Sequence, residues 1–290
     1  MTFHPDFDLS GTIARLFVYP VKSCAGVEVQ EALLTETGLD LDRAWMVVDS
    51  DGHFLTQRTL PRMALVRPQL KSDEMVLRAP GMLPLHVAID AVEGSATVTI
   101  WQDTVPGWDM GAVAAQWFTD FLGRPCRLVR FDPEHRRLSS MDWTGGVEAP
   151  NQFADGFPVL VVAQASMEEL NQRLRTSGHS TVGIERFRPN IVLDGVQSHD
   201  EDRMDMVHVD GGEDGDIHLQ PVKPCARCPI PDIDPVTAEC SPAVGDTLRA
   251  YRQDRRLGGA ITFGMNAIVR QGAGGMLRVG QRVTADLRFD

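Results

Sequence analysis

The feature that most limits how this chain can fold is a series of short apolar, β-branched runs, each closed by turn residues. "RAWMVVDSDGHFLTQR" (43–58) reads as a hairpin: an apolar run, then Asp51-Gly52, then an alternating run. Asp-Gly favours the positive φ values that tight hairpin turns require. "TIARLFVYPV" (12–21) and "ATVTIWQDTVPGWDM" (96–110) read as strand, "GFPVLVVA" (156–163) as a buried strand, and "RPNIVLDG" (188–195) as another. "GGEDGDIHLQ" (211–220) reads as turn then strand, and "MLRVGQRVTADL" (276–287) as a closing hairpin turned at Gly280. Two segments change period. In "GAVAAQWFTDFLG" (111–123), Val113, Trp117, Phe118 and Phe121 share a helical face, and Gly123 with Pro125 stops the helix. Ser166 opens a capping box with Glu169 ahead of the stripe Met167, Leu170 and Leu174, with Gly178 as the stop. Many short strands with two scattered helices predict a mainly β, α+β chain of barrels or sandwiches rather than a βαβ array. The loosest stretch, 132–153, is polar and carries Gly and Pro; it either joins two domains or covers a site.

Composition narrows the function classes. The 290 residues suit one large β domain or two ordinary ones. A net charge of −12 argues against nucleic acid and anionic membrane as main partners, so any cluster of cations needs a reason. Five cysteines, an odd number, and an N-terminus without the pattern of a secretory leader predict a reducing, cytoplasmic setting. No run reaches the ~18 apolar residues of a membrane span. No G-x-G-x-x-G opens a helix and no G-x-x-x-x-G-K-[ST] occurs, so neither dinucleotide nor NTP binding is indicated; pyridoxal phosphate is not indicated either. No G-x-S-x-G elbow supports a Ser-His-Asp triad, and the eight histidines lack ligand spacing.

The chemistry-bearing stretch is "VKPCARCPIPDIDP" (222–235). Four readings of Cys225-x-x-Cys228 are open. Structural zinc needs four ligands, usually from two such pairs, and only one pair exists. A thioredoxin-like pair needs a helix opening at the first cysteine, and Pro224, Pro229 and Pro231 oppose one. The pair can also be buried and inert in a proline-rich loop. Alternatively, Arg227 next to Cys228 favours the thiolate, which a soft metal prefers. Lys22 at a strand end reads equally as a solvated lysine. Arg43 reads as a partner of Asp40 or Asp42, and Arg188 as a structural residue.

Taken together, "YPVKSCAGVEVQEALLTETGLDLDRAWMVVDSDGHFLTQR" (19–58) resembles the N-terminal β-barrel domain that precedes MOSC domains. "FADGFPVLVVAQASMEELNQRL" (153–174), "RFRPNIVLDG" (186–195), "KPCARCPIPDIDP" (223–235) and "FGMNAIVRQGAGGMLRVGQRV" (263–283) resemble the MOSC domain itself. That family includes the C-terminal module of molybdenum-cofactor sulfurases, the mitochondrial amidoxime-reducing components and a bacterial protein that detoxifies N-hydroxylated bases. The resemblance implies an N-terminal barrel-like domain at 1–131, a MOSC β-barrel domain at 132–290, and a molybdenum–molybdopterin cofactor between them.

Carried over residue by residue, Cys228 matches the molybdenum-ligating, catalytic cysteine, while Cys225 matches a neighbour that does not ligate. Lys22, Ser23 and Arg43 match cofactor contacts of the first domain. Asp155, Gly156 and Phe157 align with a loop near the pterin. Arg188 and Asn190 fall in the R-P-N motif. Ala226 and Arg227 flank the metal ligand, and Asn266 matches a late cofactor contact. The family usually has glycine where this chain has Ala238, and the bacterial relative carries a further iron–sulfur domain. The implied activity is two-electron reduction of N-hydroxylated compounds (hydroxylamines, amidoximes or N-hydroxylated bases), with electrons from a separate ferredoxin- or flavodoxin-like protein. A non-catalytic carrier of the cofactor would show the same binding residues.

Overall fold

The computed structural model describes residues 7–212 and 215–288. Among the described residues the fold is mainly β, with four α-helices. Its largest element is a closed seven-stranded barrel. Eleven strands carry the architecture: β1 (Leu9–Val18), β2 (Trp45–Asp49), β3 (Gly94–Ile100), β4 (Asp103–Asp109), β5 (Cys126–Phe131), β6 (Val159–Ala163), β7 (Ile191–Asp194), β8 (Met204–Val209), β9 (Ile217–Ala226), β10 (Ala260–Gln271) and β11 (Arg282–Leu287). Around the barrel the order is β6-β7-β1-β11-β8-β9-β10, and β10 pairs back onto β6. Only β6 and β7 pair in parallel within it, as a helical crossover requires. That crossover is α3 (Gln164–Thr176).

The uninterrupted apolar run of β6 follows from burial on both faces. Val159 and Val161 point into the barrel with Ile13, Leu16 and Ile191. Leu160 and Val162 point outward, where Leu170 and Leu174 of α3 and Leu248 of α4 (Ala243–Arg249) cover them. A second, four-stranded sheet runs β2-β5-β4-β3. In β2, Trp45 and Val47 pack towards α1 (Gly111–Leu122), while Met46 and Val48 pack against β3, β4 and Phe153. Sequence order and spatial order differ: β1, from the chain's first twenty residues, is hydrogen-bonded within the barrel built by residues 159–287.

Several local expectations change. Val113 is 73% exposed; the buried stripe of α1 is Ala114, Trp117, Phe118 and Phe121, spaced i, i+3, i+4, i+7, which leaves Val113 on the water side. The Ser166 capping box does not form. The helix begins two residues earlier at Gln164, so Ser166 is interior and buried. Its hydroxyl donates to the Glu201 carboxylate at 2.8 Å and accepts the His199 N–H at 2.8 Å. The turn at Gly280 exists, but its arms part: Met276–Arg278 pairs with Glu31–Thr35, while β11 pairs with β1 and β8. The proline-rich stretch is not a loop up to Cys225. It is the end of β9, which admits Pro221 and Pro224 through two register shifts. The arm after Asp51-Gly52 is reduced to single bridges, Phe54 to Val48 and His53 to Thr99.

The loose stretch 132–153 is ordered by one buried side chain. Arg137 donates to Asp103, Asn151 and the carbonyls of Gln152 and Ala154, at 2.6–2.8 Å. It carries the short helix α2 (Met141–Thr144) and delivers the chain to Asp155.

Candidate functional site

β1 leaves the barrel at Val18 and runs straight into the second sheet. Lys22 N–H donates to the Trp45 carbonyl at 2.8 Å, and Arg43 N–H to the Tyr19 carbonyl at 2.8 Å. This crossing point puts Lys22, Ser23 and Arg43 beside the ends of β6, β9 and β10. The twelve site residues expected from sequence all line the resulting cleft. Lys22, Ser23 and Arg43 come from the crossing, Asp155, Gly156 and Phe157 from the loop before β6. Arg188 and Asn190 precede β7, Ala226, Arg227 and Cys228 follow from β9, and Asn266 lies on β10. Sequence reasoning missed Arg58, Ala154, Leu160, Phe187 and Ile230, and set Cys225 aside from the lining.

The backbone is strained here. Seven non-glycine residues among those described have positive φ, and three of them, Ser23 (66°), Arg43 (51°) and Arg188 (58°), line this cleft. Such conformations each cost roughly 1–3 kcal/mol and persist where surroundings over-determine them. Tyr19 supplies much of that determination. Its buried ring carries two guanidinium groups over it, Arg43 at 4.4 Å and Arg188 at 4.3 Å from the centroid. Only glycine fits at Gly26, because an added Cβ would lie 2.4 Å from that ring. Arg43 donates to Asp42 at 2.5 Å, to Asn190 Oδ1 at 3.1 Å and to the Arg188 carbonyl at 3.0 Å. Of the two neighbouring carboxylates, Asp40 and Asp42, Arg43 takes Asp42. Asn190 is buried and braces the same group, since its Oδ1 also accepts the Leu160 N–H and its Nδ2 donates to the Phe17 carbonyl.

Five cations line the cleft, Lys22, Arg43, Arg58, Arg188 and Arg227, against one carboxylate, Asp155. In a protein of net charge −12 this is a strong local inversion. Lys22 is buried; its ammonium donates to the Phe153 carbonyl at 2.8 Å and to Asp155. Burial pulls Lys22 down to about 8, with Asp155 opposing the fall and Arg137 and Arg58 adding to it. Desolvation would raise the Asp155 carboxyl, but Lys22 and Arg58 hold it well below the usual range. Burial and then Arg43 pull Arg188 down to about 10, so it stays charged at neutral pH. The Lys22 ammonium should titrate near pH 8 by NMR of the labelled side chain, and Asp155→Asn, which removes the charge that supports it, should lower that midpoint. An unchanged or raised midpoint would contradict this electrostatic picture.

The two cysteines have different cations. Arg227, expected to serve Cys228, instead donates to Cys225 Sγ at 2.9 Å and to the Phe187 carbonyl at 2.8 Å. It reaches them by folding back over the Phe187 ring, 5.3 Å away, and its buried Nε has no partner among the described residues. The cation facing Cys228 is Arg58, which also donates to Asp155 at 3.0 Å and lies 4.9 Å from the Trp101 ring. Neither cysteine is in a disulfide. Among the described residues the one trio of His, Cys, Asp or Glu close enough to share an ion is Asp49, Asp51 and His53, so the pair has no third zinc ligand beside it. The nearby Cys24 thiol is buried, which pushes it up to about 12 and leaves it inert.

The donor set suits an anionic, sulfur-bearing ligand: guanidinium forks and an ammonium for phosphate, and an accessible thiol for a soft metal. Comparison with known proteins agrees in kind. The model for the MOSC N-terminal beta barrel domain matches residues 10–125, and that for the MOSC domain matches residues 148–284. Mitochondrial amidoxime-reducing component 1 of Homo sapiens is 35% identical over 254 residues, covering 84% of this chain and 72% of that protein. Mitochondrial amidoxime reducing component 2 of Rattus norvegicus is 34% identical over 254 residues, covering 83% and 72%. Molybdenum cofactor sulfurase of Bos taurus is 32% identical over 269 residues, covering 86% of this chain but 30% of that protein. With both domain models matched in order and this similarity spread along most of its length, the chain belongs to the MOSC family, its MOSC domain preceded by a MOSC N-terminal β-barrel domain.

Proposed function

We propose that this protein is a molybdenum-cofactor-dependent reductase of N-hydroxylated compounds. The observation that carries the reading is the gathering of five cations and a half-buried cysteine into one cleft of an acidic protein. The names of the relatives, amidoxime-reducing components and a molybdenum cofactor sulfurase, point the same way. Cys228 would hold the metal. Lys22, Arg43 and Arg188 would take the phosphate and pterin edge, with Ser23, Gly156 and the Asn266 amide completing the walls. When bound, the cofactor supplies the two electrons for cleavage of an N–O bond. The overall change is R–NHOH plus two electrons and two protons to R–NH2 and water.

The chain's own contribution is position and charge. Arg58 keeps a fixed cation beside Cys228, and Asp155 fixes both Arg58 and Lys22. Asn190 and Tyr19 hold the Arg43–Arg188 pair in place. Electrons are proposed to arrive from a separate ferredoxin- or flavodoxin-like protein, because the described cysteines bring no cluster of thiols together. The protein isolated from cells that make the cofactor should therefore contain molybdenum and reduce a hydroxylamine with reduced viologen. It should be inactive with NADH alone and regain NAD(P)H-dependent turnover when a ferredoxin or flavodoxin and its reductase are added. Bound molybdenum without turnover by any donor would replace the reductase by a carrier of the cofactor. Steady turnover with NADH alone would reveal an internal redox site.

A further inference from the structure

A second cavity, of about 420 Å³, is lined by residues of both domains and shares Arg188 and Ile230 with the cationic cleft. Its lining is mainly apolar. Val27 and Pro68 come from the first domain, Ile233 and Val236 from the second, and Val236 is 65% exposed. Gln57 lines the same cavity but is only 4% exposed. Its side-chain amide makes no hydrogen bond among the described residues, yet neither of its polar atoms is wholly enclosed. The amide therefore opens onto the cavity. A buried amide left unpaired opposes folding, and a partner bound in the cavity would remove that cost. Gln57 and its neighbour Arg58 look opposite ways: Arg58 lines the cationic cleft and reaches Asp155, whereas Gln57 lines this cavity and not the cleft.

The charges around the cavity are matched, with one exception. Glu185 accepts from Arg15 at 2.8 Å. Arg186 donates to Asp234 at 2.8 Å and to the Pro231 carbonyl at 3.2 Å. Arg188 is turned to the Cys24 carbonyl and the Tyr19 ring. The exception is Arg67, which is exposed and whose side chain has no partner among the described residues. Across its strand pair it stands opposite Arg78, a second exposed arginine without a partner there. Like charges placed opposite each other repel, so an anion beside Arg67 is favoured.

We infer that this cavity is a ligand site separate from the cofactor cleft, and that it takes small organic acids with an apolar body and a hydroxyl group. Burial sets the orientation. The carboxylate meets the exposed Arg67, whose planar fork suits it. The body lies against Val27, Pro68, Ile233 and Val236, and the hydroxyl meets the buried Gln57. An amide offers both a donor and an acceptor, and a hydroxyl can answer either. A cavity of about 150 Å³ takes a benzene ring, so this one has room for a substituted ring. The site does not depend on the reductase reading, since neither Gln57 nor Arg67 lines the cofactor cleft.

The test uses the full chain as isolated, with 4-hydroxyphenylacetate as the probe. Phenylacetate is the analogue without the hydroxyl, and 4-hydroxyphenylacetamide the one without the charge. By ligand-observed NMR the wild type should bind the probe about fivefold more tightly than phenylacetate and about threefold more tightly than the amide. Gln57→Leu keeps the size of the side chain and removes the orphan amide, so it should abolish the first preference. Arg67→Gln, an exposed change, should abolish the second. Both variants should keep the wild-type molybdenum content, and Gln57→Leu without ligand should melt no lower than the wild type. Absence of saturable binding would overturn the inference. So would preferences that survive in both variants, which would place the probe among the cations of the cleft. A Gln57→Leu protein that melts well below the wild type would show that the amide is satisfied within the fold, and would overturn it too.

Discussion

Cys228→Ala should abolish reductase activity and remove one sulfur from the molybdenum coordination shell, while Cys225→Ala should keep the metal and much of the activity. The two thiols are three residues apart, yet the fold treats them differently. Cys225 lies near the end of β9, partly packed against the cluster that includes Phe187 and Phe263, and Arg227 is committed to it at 2.9 Å. Cys228 is past the strand, in the cationic cleft and beside Arg58. A metal held there would lie beside the cations that suit an anionic cofactor. A metal held by Cys225 would compete with the Arg227 contact. X-ray absorption on the two variants decides the matter: unchanged sulfur coordination in Cys228→Ala, or loss of it in Cys225→Ala, would move the ligand to the other cysteine. Arg58→Gln is expected to weaken molybdenum retention as well, because it removes a cation that interacts with Cys228 and frees Asp155 from half of its pairing.

Much of this site was legible in sequence because its residues sit in compact motifs. Lys22-Ser23, Arg188-Pro189-Asn190 and Cys225-x-x-Cys228 keep their neighbours along the chain, so a family resemblance places them together. Arg58 has no such motif. It is the last residue of a reduced hairpin arm, and its role comes from lying over Trp101 and reaching Asp155, 97 residues later. Arg227 shows the converse failure: adjacency in sequence to Cys228 says little about direction, and a bulged strand end turns the guanidinium towards Cys225. Strand existence was readable from apolar runs, since β2 and β6 bury alternate residues in two different cores. Strand pairing was not, because nothing local says that β1 closes a barrel with β7 and β11. Ala238 departs from the usual glycine, and the turn still forms there with φ 62°. For an alanine that conformation costs roughly 1–2 kcal/mol.

The double variant Arg43→Ala, Arg188→Ala should purify almost free of molybdenum, but its reading requires that folding and binding be separated. A hydrogen bond to a charged group contributes about 1.5–3 kcal/mol, so losing one should weaken cofactor binding roughly ten- to a hundredfold and losing two should leave little bound. The same substitutions also damage the scaffold. Asp42 is buried, and Arg43 is its ion-pair partner; leaving a buried charge uncompensated costs roughly 3–5 kcal/mol. Tyr19 would lose both cations that lie over its ring while its hydroxyl stays buried without a partner among the described residues. Adding Asp42→Asn resolves the two effects. The asparagine carbonyl can still accept the Tyr19 N–H that Asp42 Oδ1 accepts at 2.8 Å, and no charge remains to be buried. The triple variant should therefore recover much of the lost thermal stability and none of the lost molybdenum. Asp42→Asn alone, with both arginines present, should stay loaded. If the triple variant is stable and still fully loaded, the pterin and phosphate are held by other cations, with Lys22, Arg58 and Arg227 as the groups left in the cleft to do it.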